Sequence, residues 1–131
     1  MSTAGSVLLD TTVVVAYFRG DRTLTPRFTG ATSIYLPWVV LGELHFGAQR
    51  AHRRQEQIAY IDDLLTYSLV LFPDRQTTER YGQIKAELAQ VGRPIPATDR
   101  WIASVARHHD LPLATRDAHF AAVPRLKVLE W

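Results

Sequence analysis

Short apolar runs alternate with amphipathic stretches along the whole chain, which predicts a three-layer α/β/α sandwich around a mainly parallel sheet of four to five strands. Two further observations agree. At 131 residues, 47% hydrophobic and 21% charged, the chain suits one globular domain, residues 1–131, with a sizeable core. Aspartates also follow closely on two of the apolar runs, at the carboxyl ends where open α/β sheets hold their ligands. No repeat, linker or low-complexity segment divides the sequence.

Taken in order, Val7-Leu8-Leu9 is an apolar strand ending at Asp10, and Thr11 is placed to cap the helix that follows, with Gly20 as its stop. Val13 to Val15 would suit a strand by propensity. Val14, Tyr17 and Phe18 keep helical spacing, however, and a strand from Val7 to Phe18 would be overlong. Asp21 to Gly30 reads as a loop or short helix broken by Pro26. Ser33 to Leu36 is the second strand, and Pro37 suits the first position of a long helix. On that helix Val40, Leu44 and Ala48 form the core side, whereas Glu43, Gly47 and Arg50 follow another face, with Gly47 opening space beside Glu43.

Arg50, His52, Arg53 and Arg54 make a basic run before a helix that buries Ile58, Ile61 and Leu65. Ser68 to Phe72 is the third strand, stopped by Pro73. Asp74 then caps a helix on which Tyr81, Ile84, Leu88 and Val91 recur at steps of three and four, ended by Gly92 and Pro94. Thr98 is expected to cap the next helix with its hydroxyl. That puts Asp99 in the first turn, where free amides and the helix dipole favour the charged carboxylate. Ile102, Val105 and Ala106 form the buried stripe, and Leu111-Pro112 ends the helix. Leu113-Ala114-Thr115 is a buried strand with Asp117 beyond it, and Lys127 to Glu130 is the last strand.

Composition removes several function classes. Without cysteine the chain has no disulfide, no thiolate zinc site and no thiol nucleophile. Met1 to Gly5 lacks the basic-then-apolar layout of a secretory leader, and no apolar run reaches membrane-spanning length, so a soluble cytoplasmic protein is expected. Net charge is only +2, yet all the basic residues except Lys85 and Lys127 are arginines. That bias suits a polyanionic substrate or an acidic partner, and a GC-rich genome would produce it equally well.

The sheet architecture draws Asp10, Glu43, Asp99 and Asp117 towards one cleft. Carboxylates about 4 Å apart repel by roughly 4 kcal/mol per pair at an effective dielectric of 20, a large share of a small domain's roughly 5 to 15 kcal/mol of stability. A cation or bound protons must offset this. All-oxygen ligands select hard ions such as Mg²⁺ or Mn²⁺, and no HExxH pattern indicates zinc. Taken singly, each acid has a structural role open to it, as a helix cap, a solvated helix face or a turn residue.

Four segments, Leu8-Leu9-Asp10-Thr11-Thr12, Val40 to Ala48 around Glu43, Thr98 to Ala103 around Asp99, and Ala114-Thr115-Arg116-Asp117, appear in the order and spacing of a known family. The chain resembles a PIN-domain ribonuclease of the VapC toxin type over essentially its whole length. The resemblance implies that Asp10, Glu43, Asp99 and Asp117 are the catalytic and metal-holding acids, with Thr11 and Thr115 as supporting hydroxyls. Thr98 is a departure, standing where many relatives carry asparagine or aspartate; it bears only on a supporting ligand at this position, since Asp99 is intact. It further implies the sheet order 3-2-1-4-5, a homodimer, and a VapB-type antitoxin encoded next door. The implied reaction is Mg²⁺-dependent hydrolysis of RNA, with Mn²⁺ as a substitute, leaving a 5′ phosphate and a 3′ hydroxyl. Because it needs no ribose 2′ hydroxyl, preference for RNA must arise in binding.

Other readings remain open at this stage. A noncatalytic PIN-fold component that binds RNA or operator DNA is the first alternative, against which the retention of all four acids speaks. Histidine acid–base cleavage through a cyclic phosphate is a second, and insensitivity to EDTA would mark it. A phosphatase would need an aspartate where Thr12 stands. Arg50, Arg53 and Arg54 are candidate RNA contacts or ordinary solvated surface. Trp38 and Trp101 lie among core positions and are expected to pack.

Overall fold

The computed structural model describes residues 5–131; the reading of Met1 to Ala4 as lacking a leader falls outside them. Five parallel strands form one sheet in the order β3-β2-β1-β4-β5: β1 is Ser6–Leu9, β2 Ser33–Pro37, β3 Leu69–Leu71, β4 Leu113–Thr115 and β5 Val128–Glu130. The chain builds outward from β1 to β2 and β3, then returns to lay β4 on the other flank of β1. Direction thus reverses between β1 and β4, in register through Leu8 with Leu113 and Leu9 with Ala114. A crevice opens at such a reversal beyond the carboxyl ends of the strands. Asp10 leaves β1 there, its amide donating to the Ala114 carbonyl at 3.0 Å.

Among the described residues six α-helices flank the sheet: α1 (Thr11–Phe18), α2 (Thr25–Gly30), α3 (Trp38–Arg50), α4 (Arg54–Leu65), α5 (Arg75–Gln90) and α6 (Ala97–His109). One apolar core runs between sheet and helices. Leu8, Leu9, Leu36, Leu113 and Ala114 of the central strands are fully enclosed, and so are Val13, Val14, Val40, Leu64, Ile84, Ile102 and Val105 of the helices. The central strands are apolar on both faces because helices cover both, whereas edge strand β3 leaves Leu69 exposed. Trp101 stacks on Tyr81 at 4.1 Å and meets Trp38 edge-on at 5.5 Å, so both tryptophans pack as expected. No described helix is long and apolar enough to cross a membrane.

At the starts of α1, α3 and α6 the residue before the helix differs from expectation. Asp10, not Thr11, precedes α1, and Thr11 is its first helical residue. Pro37 ends β2 and stands just before α3 instead of opening it. Pro96 fills that position for α6, so Thr98 lies inside the first turn and makes no cap. Proline's fixed φ, near the −65° and −56° of Pro37 and Pro96, supplies the extended entry that a capping side chain would otherwise stabilise. Pro26 sits in the first turn of α2, where its missing amide costs nothing, rather than breaking it. Gly20 at φ 87° ends α1 in a left-handed turn, and Asp74 forms the expected cap with Thr77, reciprocally. Val91 lies beyond α5 and is exposed, and in α4 Leu64 is buried more fully than Leu65.

Candidate active site

The four predicted acids come to one end of the sheet. Asp10, carried by β1, is 3% exposed; its Oδ2 accepts from Thr115 Oγ1 at 2.6 Å and Thr12 Oγ1 at 2.8 Å. No described group hydrogen-bonds its Oδ1. The Thr115 hydroxyl also accepts the Asp117 amide at 2.9 Å, so one oxygen joins the two aspartates. The Thr12 hydroxyl likewise accepts the Arg116 amide at 3.0 Å, which pins the loop after β4 against the start of α1.

Asp99, in the first turn of α6, and Asp117 meet at His119: its Nδ1 lies 3.2 Å from Asp117 Oδ1 and 3.7 Å from Asp99 Oδ2. One donor atom from each of these three residues falls within 4.8 Å of the others. Glu43 on α3 stands further out, its Oε1 accepting from Thr11 Oγ1 at 3.4 Å. It belongs to the same electrostatic neighbourhood, since its charge acts on Asp99 and that of Asp10 acts on it.

Burial, and then the charges of Asp117 and Asp10, push the Asp99 carboxyl up to about 6; His119 pulls it back and Glu43 adds to the rise. Against the expectation that the first turn of the helix favours the charged form, the Asp99 anion is disfavoured relative to a free carboxylate, although it still predominates at neutral pH. Free amides favour the anion, but desolvation and like charges outweigh them. Glu43 is also raised, by burial first, against the hydrogen bond from Thr11 and with help from Asp10. Burial and like charge together disfavour ionisation of Asp99 and Glu43, and the oxygen donors of the cluster suit a hard divalent ion. His119, 60% exposed, is the one basic side chain with a nitrogen within 4 Å of these carboxylates among the described residues.

Sequence reading passes over Thr12, Arg116 and His119. Each lies within two residues of a predicted acid, so a search of near neighbours for hydroxyl, guanidinium and imidazole groups would have raised all three. Thr98 makes no described hydrogen bond that would support the acids. Gly47 borders a groove with Glu43, although a methyl at Gly47 would meet nothing within 4 Å, so alanine would fit as well. Arg50, Arg53 and Arg54 are exposed where α3 passes to α4: Arg50 lies over the Phe46 ring, Arg53 pairs with Glu56 at 3.5 Å, and Arg54 bonds the Gln49 carbonyl at 3.2 Å. His108 is occupied by Asp74 at 3.1 Å, where the C-terminal end of α6 meets the start of α5, away from the acids. His45 and His52 are exposed and form no group with the acids.

Comparison with known proteins agrees with this geometry. The profile described as "PIN domain" matches residues 7–126. A tRNA(fMet)-specific endonuclease VapC of Shigella flexneri is 34% identical over 94 residues, covering 71% of each chain. The ribonuclease VapC2 of Haemophilus influenzae is 29% identical over 127 residues, covering 95% of this chain and 96% of its own. Among solved structures, DNA-bound VapBC from Salmonella typhimurium superposes with a TM-score of 0.90 at 26% identity, over 96% of this chain and 98% of that one. With the sheet order and the four acids in place, the chain belongs to the PIN-domain family and is of the VapC type.

Proposed function

We propose that the chain is an endoribonuclease toxin of a toxin–antitoxin pair, held inactive by a VapB-type antitoxin and dependent on Mg²⁺, with Mn²⁺ able to substitute. The observation that carries this reading is the convergence of Asp10, Asp99 and Asp117, with Glu43 beside them, at the reversal of the sheet in a VapC-type chain. The relatives' names supply the activity, ribonuclease and tRNA-specific endonuclease, and the solved VapBC assembly supplies the class of partner. Like-charge strain at Asp99 supports a resident cation.

In this reading Asp99, Asp117 and the Oδ1 of Asp10 would hold the ion, with Glu43 outermost. A divalent cation bound there supplies charge neutralisation, a lowered pKa for water and stabilisation of the departing 3′ oxygen. Thr115 and Thr12 fix Asp10 by occupying its Oδ2, which leaves a single oxygen to face the cleft. Thr11 holds Oε1 of Glu43, and its raised carboxyl is then placed to accept, at Oε2, the proton of a water attacking phosphorus in line. The products are a 5′ phosphate and a 3′ hydroxyl. Thr98 is kept as a weaker supporting candidate at the mouth of α6. Arg50, Arg53 and Arg54 are proposed RNA contacts, and the working unit is a homodimer in the cytoplasm.

The test is cleavage of cellular RNA by the purified chain, followed by sequencing of the new 5′ ends. Asp10→Asn removes one charge at nearly constant volume, and activity should fall by about a hundredfold or more, as it should in EDTA. Undiminished cleavage in both conditions would show that the acids do not perform the reaction.

A further inference from the structure

RNA brings one negative charge per nucleotide to a site already crowded with carboxylates. A cation among the acids answers for the phosphate being cut, and the neighbouring phosphates need positive groups of their own. Two arginines line a groove that borders the acid cluster. A cavity of about 420 Å³ adjoins the acid cluster and shares Thr12 with it; Arg19, at the end of α1, and Arg116, between Thr115 and Asp117, both line it.

Arg116 is held in position. Its Nε and Nη2 donate to the Trp131 carbonyl at 3.2 and 2.9 Å, Nη2 pairs with Asp21 Oδ2 at 2.7 Å, and its amide is fixed on Thr12. No described group accepts from its Nη1. Asp21 is itself satisfied, accepting from Thr23 and Arg116, hydrogen bonds that hold its carboxyl down at about 2. Arg19 is exposed and forms no ion pair with a described residue. Two guanidinium groups and one carboxylate leave the cavity wall with one net positive charge, which matches the single negative charge of a phosphodiester. A fixed guanidinium edge beside an exposed one that forms no described ion pair is a geometry suited to two-pronged capture of phosphate oxygens.

We propose that Arg19 and Arg116 form a phosphate-holding subsite that grips a phosphodiester next to the one being cut, and so sets the register of RNA over the acids. This rests on the ribonuclease reading above. Arg19 and Arg116 are then positioning residues, distinct from the Arg50 to Arg54 run, and Arg19 gives the cleaner test because its side chain supports nothing else described.

An RNA of about 30 nucleotides spanning a site cut by the wild-type chain serves as the probe. Steady-state cleavage would be measured with the active chain, and affinity against salt in an Asp10→Asn background. Arg19→Gln should raise KM by about tenfold with kcat within about twofold, and reduce the salt slope of binding by about one. Arg19→Lys should recover most of the affinity, since lysine also binds phosphate as a point charge. Arg116→Gln should lose more, and its melting temperature would show how much is anchorage of the Trp131 end. Arg75→Gln is the control: 94% exposed at the start of α5, it lies by the far end of α6 from Asp99 and should change neither quantity. If the wild type cuts RNA while Arg19→Gln matches Arg75→Gln, or loses kcat alone, the subsite is refuted and the ribonuclease reading stands. An altered grip on antitoxin with unchanged RNA affinity refutes it as well. A wild-type chain that neither cuts nor binds any RNA removes both.

Discussion

Asp99 carries the clearest residue-scale consequence. In the folded chain its carboxyl titrates near 6, against an ordinary value of 3.8, so without a cation the fold binds this proton more tightly than the unfolded chain does. Its contribution is complete below about pH 4, is lost as pH rises from about 4 through 6, and stays lost above. Asp21 and Asp74, both lowered to about 2, act oppositely and below that window, their stabilisation disappearing as pH falls under 4. Asp99→Asn should therefore remove most of the decline in stability expected of the wild type between pH 4 and 7 in EDTA, leaving the part that the raised Glu43 contributes. At pH 7 it should make the chain about 1 to 2 kcal/mol more stable, after allowance for solvent screening of a half-buried group. Paired denaturant titrations across that range would check it; an asparagine variant that is less stable at pH 7 would mean that the site lacks the repulsion assigned to it. Thr115 works by geometry instead. Thr115→Val keeps the volume but cuts the link between Asp10 and the Asp117 amide, and should lower cleavage by about 10- to 100-fold while costing about 1 to 3 kcal/mol of stability. Separate kcat and melting measurements distinguish the two effects.

At the scale of elements, α6 owes its placement to Arg100 as much as to its buried stripe. The Arg100 guanidinium donates to the Tyr81 hydroxyl of α5 at 3.2 and 3.0 Å and to the Ile95 carbonyl, which closes the loop that leads into the helix. Arg107, almost enclosed, pairs with Glu87 of α5 at 2.9 Å two turns further on. Asp99 therefore sits on a helix clamped at both ends. Arg100→Lys keeps the charge and loses the fork, so the melting temperature should fall by about 3 to 6 °C, and amides 97–100 should exchange faster than those of 102–106. Periodicity made the helix legible, because Ile102, Val105 and Ala106 fall on one stripe and are buried. It could not reveal what starts the helix. Ser, Thr and Asp caps are visible as side chains, whereas the entry into α6 and α3 is set by the backbone of Pro96 and Pro37, and the clamp depends on Tyr81, 19 residues away from Arg100.

For the molecule as a whole, alternation of apolar and amphipathic runs is enough to predict a covered parallel sheet, but not which strands are neighbours. Exchanging the three inner strands among themselves would still bury Leu8, Leu36 and Leu113, and the order 3-2-1-4-5 came from the family resemblance. That order is what turns separate aspartates into a site, since it sets the ends of β1 and β4 side by side. A fold that brings like charges together should be least stable when the site lacks a cation and should gain when one binds. With Mg²⁺ or Mn²⁺ at a hundred times its dissociation constant, binding to the folded state alone adds about 2.7 kcal/mol. The melting temperature should rise with metal concentration, by several degrees at that level, and fall back on EDTA. Monovalent salt at matched ionic strength should reproduce only the screened part of this gain, because repulsion among partly buried carboxylates is poorly reached by mobile ions. Asp99→Asn and Asp10→Asn should each flatten the metal dependence, the first while raising the baseline measured in EDTA. Scanning calorimetry on the three chains separates these outcomes: a wild type indifferent to divalent ions, or an Asp99→Asn chain that responds as strongly as wild type, would place the cation away from these carboxylates.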